Sequence, residues 1–494
     1  MLTLIVTPKF KEVNSVLHSI SRSPNKKWLV LLSIGFGIVT NGIDNSSLNL
    51  ALPILSNIFD VGADIILWLI SAFMLVAVGL ALTWGNFGDT FGRKRIYVSG
   101  FLLFALGLLV LTFSTSVTHL IIGRIIQALG QSMTVTNGFA IAVAMFPDRQ
   151  RGLVIGLVGA SVGVGLSLGP IFGAAVLDNF EWRALFWTRI PLSILAMITA
   201  AIIIPKDLNR SHEKKNFDYI GAVLLFISLT SFLVFINRLP VEPLTNQLML
   251  VLLVTFLISG TTFIINEIKS QSPVLEFKLF KNRFLAVSLL VHFLHFLGYM
   301  FIIFLIPFFL LHGKNMSTTE MGVLLASIQV VRLFIAPAAG VWTDKIGARR
   351  MATFGLFITT TGFFLMSQLD PASSFQFIAM SLIITGIGAS IFDPSNEHAV
   401  LSSIPSEKLA SGTALTTTAR QVGFSISTTI AGTMYAYRLG HYESFLTDST
   451  LAVTGAYQEV LYLGLAIMLM ATGLSYARGT AQKSFWSDQK SKMV

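Results

Sequence analysis

The sequence predicts an all-α integral membrane protein of fourteen transmembrane helices, arranged as two six-helix halves with an inserted helix pair. Three observations carry that prediction. The 494 residues are 54% hydrophobic and only 12% charged, with a mean hydropathy of +0.75, whereas soluble domains carry about 25% charged residues. Apolar runs close to the roughly 20 residues that span a bilayer recur from one end of the chain to the other. A charged loop motif occurs twice, at equivalent places in the two halves.

The apolar runs fall at 28–51, 64–84, 96–116, 118–144, 153–177, 185–204, 219–237, 247–266, 284–311, 321–342, 351–368, 374–402, 411–436 and 456–475. Residues 1–27 are mixed and basic and lack the apolar core and small-residue cleavage site of a secretory signal, so they read as a cytosolic N-tail. Residues 476–494 read as a cytosolic C-tail. Of the 34 lysines and arginines, 26 fall on the side of the tails and 4 on the opposite side, which predicts both termini in the cytoplasm. The net charge of +10 points to no nucleic acid, because the basic residues lie in short segments between apolar runs and not on one solvated face. Cysteine is absent, which excludes disulfides, thiolate metal sites and cysteine nucleophiles.

The loop motif reads GNFGDTFGRKR at 85–95 and GVWTDKIGARR at 340–350. Both copies are G-x-x-x-D-x-x-G-x-[KR]-R, and each joins the second and third helix of a six-helix half. The halves are therefore 28–204 and 284–475, with the seventh and eighth helices inserted in the linker 205–283. Two such halves are the plan of rocking transporters. The glycines permit a tight turn, and the basic cluster anchors the next helix at the membrane surface.

Charges inside apolar runs mark function or pairing. Asp44 in the first helix and Arg124 in the fourth lie about 10 and 9 Å below the same membrane boundary by helical rise. A carboxylate that moves between a dry environment and an arginine can take up and release a proton. The pair reads either as a proton-coupling site or as a structural ion pair joining the two helices. Asn41, Asn45 and Asn49 form a stripe four residues apart on the same helix. In the second half Arg332, Asp393 and Arg420 share a depth of about 13–16 Å from the cytosolic boundary, and Glu397 lies one turn from Asp393. Arg332 reads equally as a contact for an anionic substrate or as the neutraliser of Asp393. In the fifth helix Gly165, Gly169 and Gly173 are four apart and open a groove for another helix backbone.

With these motifs and this helix count, the sequence resembles the major facilitator superfamily, and within it is similar to the fourteen-helix drug:proton antiporter family, over nearly the whole chain outside the tails. The resemblance implies that Gly85, Asp89, Gly92 and Arg93, with Gly340, Asp344 and Gly347 in the second copy, gate alternating access. Residues 165–174 match the antiporter string G-x-x-x-G-P-x-x-G-G through Gly165, Gly169, Pro170 and Gly173, with Ala174 replacing the last glycine, and this implies export. The stretch around Asp44 resembles the first-helix motif, retaining Asn49, Ala51, Leu52 and Pro53. GRIIQALGQ at 123–131 resembles the fourth-helix motif through Arg124, Gln127 and Gly130. Arg420 sits in a string ordinary for the family and reads as structural. Arg189 stands where the family usually has asparagine and reads as snorkelling to the outer interface.

The expected function is proton-coupled export of amphipathic or toxic small molecules across the cytoplasmic membrane. Proton coupling is expected at Asp44, Arg124 and Asp393, and the substrate cavity at Asn41, Asn45, Asn49, Gln127, Arg332, Arg420 and Glu397. The proton gradient supplies the energy, and no cofactor or metal is expected; His292, His295 and His312 lack carboxylate or cysteine company at ligand spacing. Expected partners are a small-molecule substrate, protons and the lipid bilayer, and further a periplasmic adaptor with an outer-membrane channel. Two rival readings are a transporter of an anionic metabolite or siderophore and a non-transporting sensor or scaffold. An ATP-driven pump lacks its G-x-x-x-x-G-K-[ST] loop, and a zinc enzyme its H-E-x-x-H.

Overall fold

The computed structural model describes residues 26–61, 66, 68–205, 218–239, 242–270, 273–316, 318–405, 408–444 and 446–479. The expected tails fall almost entirely outside the described residues, as do linker residues 206–217. The helices are α1 (Lys26–Ile58), α2 (Trp68–Gly79), α3 (Ala81–Phe91), α4 (Arg93–Thr112), α5 (Val117–Ala144), α6 (Arg151–Asn179), α7 (Ala184–Trp187) and α8 (Ile190–Ile203) in the first half. α9 (Tyr219–Arg238) and α10 (Gln247–Lys269) are the inserted pair. α11 (Arg283–Phe308), α12 (Thr318–Ile346), α13 (Ala348–Ser367), α14 (Phe375–Ser402), α15 (Leu409–Glu443) and α16 (Ser449–Ala477) form the second half.

Each predicted span coincides with one helix, with the α2–α3 pair bent by 43°, or with α7 and α8 in succession. Ten of the described helical stretches are singly long and apolar enough to cross a membrane, and the bent pair makes an eleventh. The three helices below that threshold are α5, α13 and α15, which carry the glycine, serine and threonine of the interior and, in α5, the buried Arg124 and Gln127. Thr134, Thr359, Thr360, Thr416 and Ser427 on them are buried, and helices whose polar groups face protein do not need the hydropathy of a lipid-facing helix. The opposite extreme is α10, whose Leu250, Val251, Val254, Leu257 and Ile258 are all exposed, as a helix on the lipid side must be.

Helix starts follow from the sequence. Ser116, Asp218, Asn246, Asn282, Ser374 and Asp448 accept backbone N–H bonds in the first turns of α5, α9, α10, α11, α14 and α16. These donors have no intrahelical partner. The two halves repeat in packing as well as in motif. The offset that relates Gly85 to Gly340 also relates Gly100 to Gly355 and Gly107 to Gly362. Gly107 lies against the Gln127 backbone of α5, and Gly362 against the Thr385 backbone of α14; a Cβ would stand 2.6 Å from Gln127 N in the first and 2.8 Å from Thr385 N in the second. Absent side chains let α4 meet α5, and α13 meet α14, at backbone distance.

Within the first half α1 packs along α6, and within the second α11 packs along α15; between the halves the main contacts are α6 with α12 and α3 with α15. The inserted pair packs on itself and on α2 and α15, and does not separate the two halves.

Candidate functional site

At one end of the molecule the two loop motifs make mirror-image contacts across the interface between halves. Asp89 pairs with Arg93 at 2.7 Å, and its Oδ2 accepts from the Ser411 N–H and hydroxyl, both at 3.0 Å, at the first turn of α15. Asp344 accepts from the N–H groups of Gly152 (2.8 Å) and Leu153 (3.1 Å) at the first turn of α6. Each motif carboxylate thus caps a helix N-terminus of the opposite half, where the helix dipole and free N–H groups favour negative charge. Gly92 and Gly347, the glycine that follows the aspartate in each copy, have φ of +108° and +100°, a region that disfavours any side chain. Beside Asp344 the backbones of α6 and α12 touch: a Cβ on Gly340 would stand 2.1 Å from the Gly152 carbonyl oxygen, and one on Gly152 would stand 2.3 Å from the Gly340 oxygen. The halves are closed against each other at this end.

Asp44 lies in the interior of the first half. Its Oδ2 accepts from Arg124 Nη1 at 3.0 Å and its Oδ1 from Gln127 Nε2 at 2.8 Å and Arg189 Nη1 at 2.7 Å. Arg189 also donates to Ser47 Oγ at 2.9 Å and to the Leu185 carbonyl. Arg124 donates to the Leu69 carbonyl at 3.1 Å and lies over the Phe73 ring, 3.8 Å from its centroid. Asp44 and Arg189 are each 1% exposed. Two expectations are corrected here. Arg189 does not snorkel outward, because its guanidinium is the second cation on Asp44. Gln127 does not line the cavity, because its amide bridges Asp44 and Arg124 inside the half.

Between the halves is a cavity of about 220 Å³. Asn41 and Asn45 from α1 and Gln131 from α5 border it on one side, and Arg332, Asp393, Glu397 and Arg420 from α12, α14 and α15 on the other. Arg332 Nη2 donates to Asp393 Oδ2 at 2.7 Å. Glu397 Oε1 accepts from the Thr416 hydroxyl at 2.6 Å, and its other oxygen stands 4.0 Å from Arg420. Asp393 Oδ1 faces the buried His295 Nε2 at 3.8 Å. The charges that the sequence places at one depth therefore meet around one cavity. Asp44 and Arg124 do not border it and lie behind Asn41 and Asn45. The side chain of Asn49 is outside the described residues, as is that of Pro170.

The glycines of the fifth-span motif serve α1: Gly165 lies on Gly42 and the Val39 carbonyl, and Gly169 on the Ile43 carbonyl and Ser46. Gly173 is buried further along the same helix. A second glycine face of α6, formed by Gly152, Gly156, Gly159 and Gly163, meets α12. Sequence reasoning missed that face, although its four-three-four spacing is a helical stripe visible in the chain. It also missed Gln131, one turn beyond Gln127, and Ser411, for which no local pattern gives a signal.

A membrane protein of two helical halves that meet at one end around a central cavity has the architecture of a solute transporter. The sequence matches the Major Facilitator Superfamily over residues 34–282 and 288–484, and the chain belongs to that family. It is 30% identical over 448 residues to the riboflavin transporter RibZ of Clostridioides difficile, covering 90% of this chain and 97% of that one. Multidrug resistance protein 3 of Bacillus subtilis is 25% identical, covering 82% and 79%. Methyl viologen resistance protein SmvA of Salmonella typhimurium is 27% identical, covering 82% of each. Among solved structures, the human organic anion transporter MFSD10 superposes with a TM-score of 0.63 over 90% of this chain and 100% of that one, at 12% identity. The proton:xylose symporter XylE superposes with a TM-score of 0.58, also at 12% identity. Those two likenesses establish the fold.

Proposed function

We propose that this chain is a fourteen-helix, proton-coupled antiporter that exports small molecules across the cytoplasmic membrane by alternating access. The observation that carries the reading is the mirrored pair of gate contacts, Asp89 on the first turn of α15 and Asp344 on the first turn of α6. Each is a few hydrogen bonds that can be made and broken as the halves rock about the cavity between them. The positive-inside distribution assigns that end, with both termini, to the cytoplasm. Export is supported by the Gly165–Gly173 motif and by relatives named for multidrug and methyl viologen resistance. Proton exchange is assigned to Asp44 with Arg124 and to Asp393, of which Asp393 borders the cavity. The proton gradient is the energy source, and a periplasmic adaptor with an outer-membrane channel stays a proposed partner.

A second reading is a metabolite transporter in the same fold. Arg332 and Arg420 on the cavity favour it, as does the riboflavin transporter among the relatives. Proton flux in energised inside-out vesicles tests both, with cationic, neutral and anionic compounds added in turn to wild type, Asp44→Asn and Asp393→Asn. Solute-dependent collapse of the gradient that is lost in either variant supports coupling there. Collapse by acids alone favours the metabolite reading, and no solute-dependent flux at all favours a sensor or scaffold.

A further inference from the structure

The unpartnered amide oxygens bordering the cavity all stand on one side. On the first-half wall Asn41 Oδ1, Asn45 Oδ1 and Gln131 Oε1 are buried with no hydrogen-bond partner. The Asn41 amide orientation is set by its neighbours. The Thr134 hydroxyl donates its proton to the Gln131 carbonyl at 3.0 Å, so it can only accept from Asn41 Nδ2 at 3.1 Å, and the Asn41 oxygen is left for the cavity. Asn41 is 4% exposed. Such a buried, unpaired acceptor is costly unless a ligand completes it.

On the second-half wall the unpartnered atoms include the donors Arg332 Nε and Arg420 Nε and one acceptor, Asp393 Oδ1. Asp393 gives its other oxygen to Arg332 at 2.7 Å, while Oδ1 stands 3.8 Å from His295, too far for a hydrogen bond. Glu397 presents one oxygen to Thr416 and the other to Arg420. Two guanidinium groups against two carboxylates leave no net charge on this wall, and the first-half wall contributes only amides. Val135 and Phe139 of α5 with Ile155 and Val158 of α6 supply apolar surface between the polar walls. The 220 Å³ lies just under the roughly 300 Å³ at which drug-sized sites begin, so it suits a compact ring system.

We propose that this cavity selects an uncharged heterocycle with apolar faces and an edge of N–H or O–H donors beside carbonyl acceptors. The donors meet Asn41, Asn45 and Gln131, and the carbonyl oxygens meet Arg332 and Arg420. The inference rests on the cavity being the substrate site, and it is independent of proton coupling.

The test is equilibrium binding to the purified full chain in detergent. The probes are lumichrome and riboflavin as uncharged imides, and N3-methyl-lumichrome as the same ring without its imide donor. Wild type is expected to bind lumichrome about two- to tenfold more tightly than its N-methyl derivative, the worth of one hydrogen bond. Asn45→Ala and Gln131→Ala are expected to narrow that ratio toward one, with unchanged thermal unfolding as the check on folding. Equal affinity for the methylated ring, or failure of both uncharged imides to bind, would each overturn the proposal. Binding as expected without solute-dependent proton flux would count against the antiporter reading alone.

Discussion

Gly340→Ala offers a direct test of the closed end. The added Cβ would stand 2.1 Å from the Gly152 carbonyl oxygen and 2.6 Å from its carbonyl carbon, so α6 and α12 must separate by about 1 Å to reach normal contact distance. The same movement stretches the Asp344 bonds to Gly152 and Leu153, now 2.8 and 3.1 Å, beyond useful length. Two charge-assisted bonds at about 1.5–3 kcal/mol each make a loss of about 3–6 kcal/mol from the closed arrangement. That is a population shift of roughly 10²- to 10⁴-fold toward opening at this end. Because the chain has no cysteine, Thr417→Cys on the cavity wall introduces a unique thiol. Its reaction with a membrane-impermeant maleimide can be read from either side of oriented vesicles. Gly340→Ala is expected to speed labelling from the loop-motif side. Gly159→Ala is the control, because its Cβ would meet Ala336 Cβ at an ordinary 3.9 Å. Unchanged labelling in Gly340→Ala, or the same acceleration in Gly159→Ala, would refute the steric argument.

Other predictions follow from the same geometry. Arg189→Leu leaves Asp44 short of one cation in a dry interior and should cost about 3–5 kcal/mol, seen as loss of thermal stability in detergent; combining it with Asp44→Asn should cost less than the sum of the two single changes, since a neutral amide then replaces the under-compensated carboxylate. Gly347→Ala should destabilise by about 1–3 kcal/mol through backbone strain alone, because a Cβ there meets no atom within 4 Å yet φ is +100°. Gly322→Ala, which also has open space but sits inside α12 with no positive φ, should be neutral or stabilising by up to about 1 kcal/mol in the same melt. Asp89→Asn and Asp344→Asn should each weaken closure, with the double variant opening further than either in the labelling assay.

The helical class, the order of the spans and the repeat were legible in the chain, because hydropathy over about 20 residues and a loop motif are local properties. The paired gate was half legible. The two aspartates and their turn glycines were visible, but Ser411, Gly152 and Leu153, which receive them, are ordinary residues whose only distinction is standing at a helix start across the interface. The first-helix charges illustrate the other limit. Asp44 and Arg124 were placed at one depth by counting rise, and Asn41, Asn45 and Gln127 were grouped with them as cavity lining. In the structure Asn41 and Asn45 border the cavity, while Asp44 and Gln127 turn inward to Arg124 and Arg189.

Depth in the membrane follows from position along a helix, at about 1.5 Å per residue, and so the sequence alone places each intramembrane charge at its level and assigns the chain to its fold. Which neighbour each charge meets depends on how the helices are rotated about their axes and how closely they approach. That is set by glycine contacts between segments far apart in sequence, such as Gly42 with Gly165 and Gly152 with Gly340. Hence only the packed molecule decides that Arg189 belongs to Asp44, that Arg332 and Arg420 share a cavity with two carboxylates, and that three unpaired amide oxygens face them.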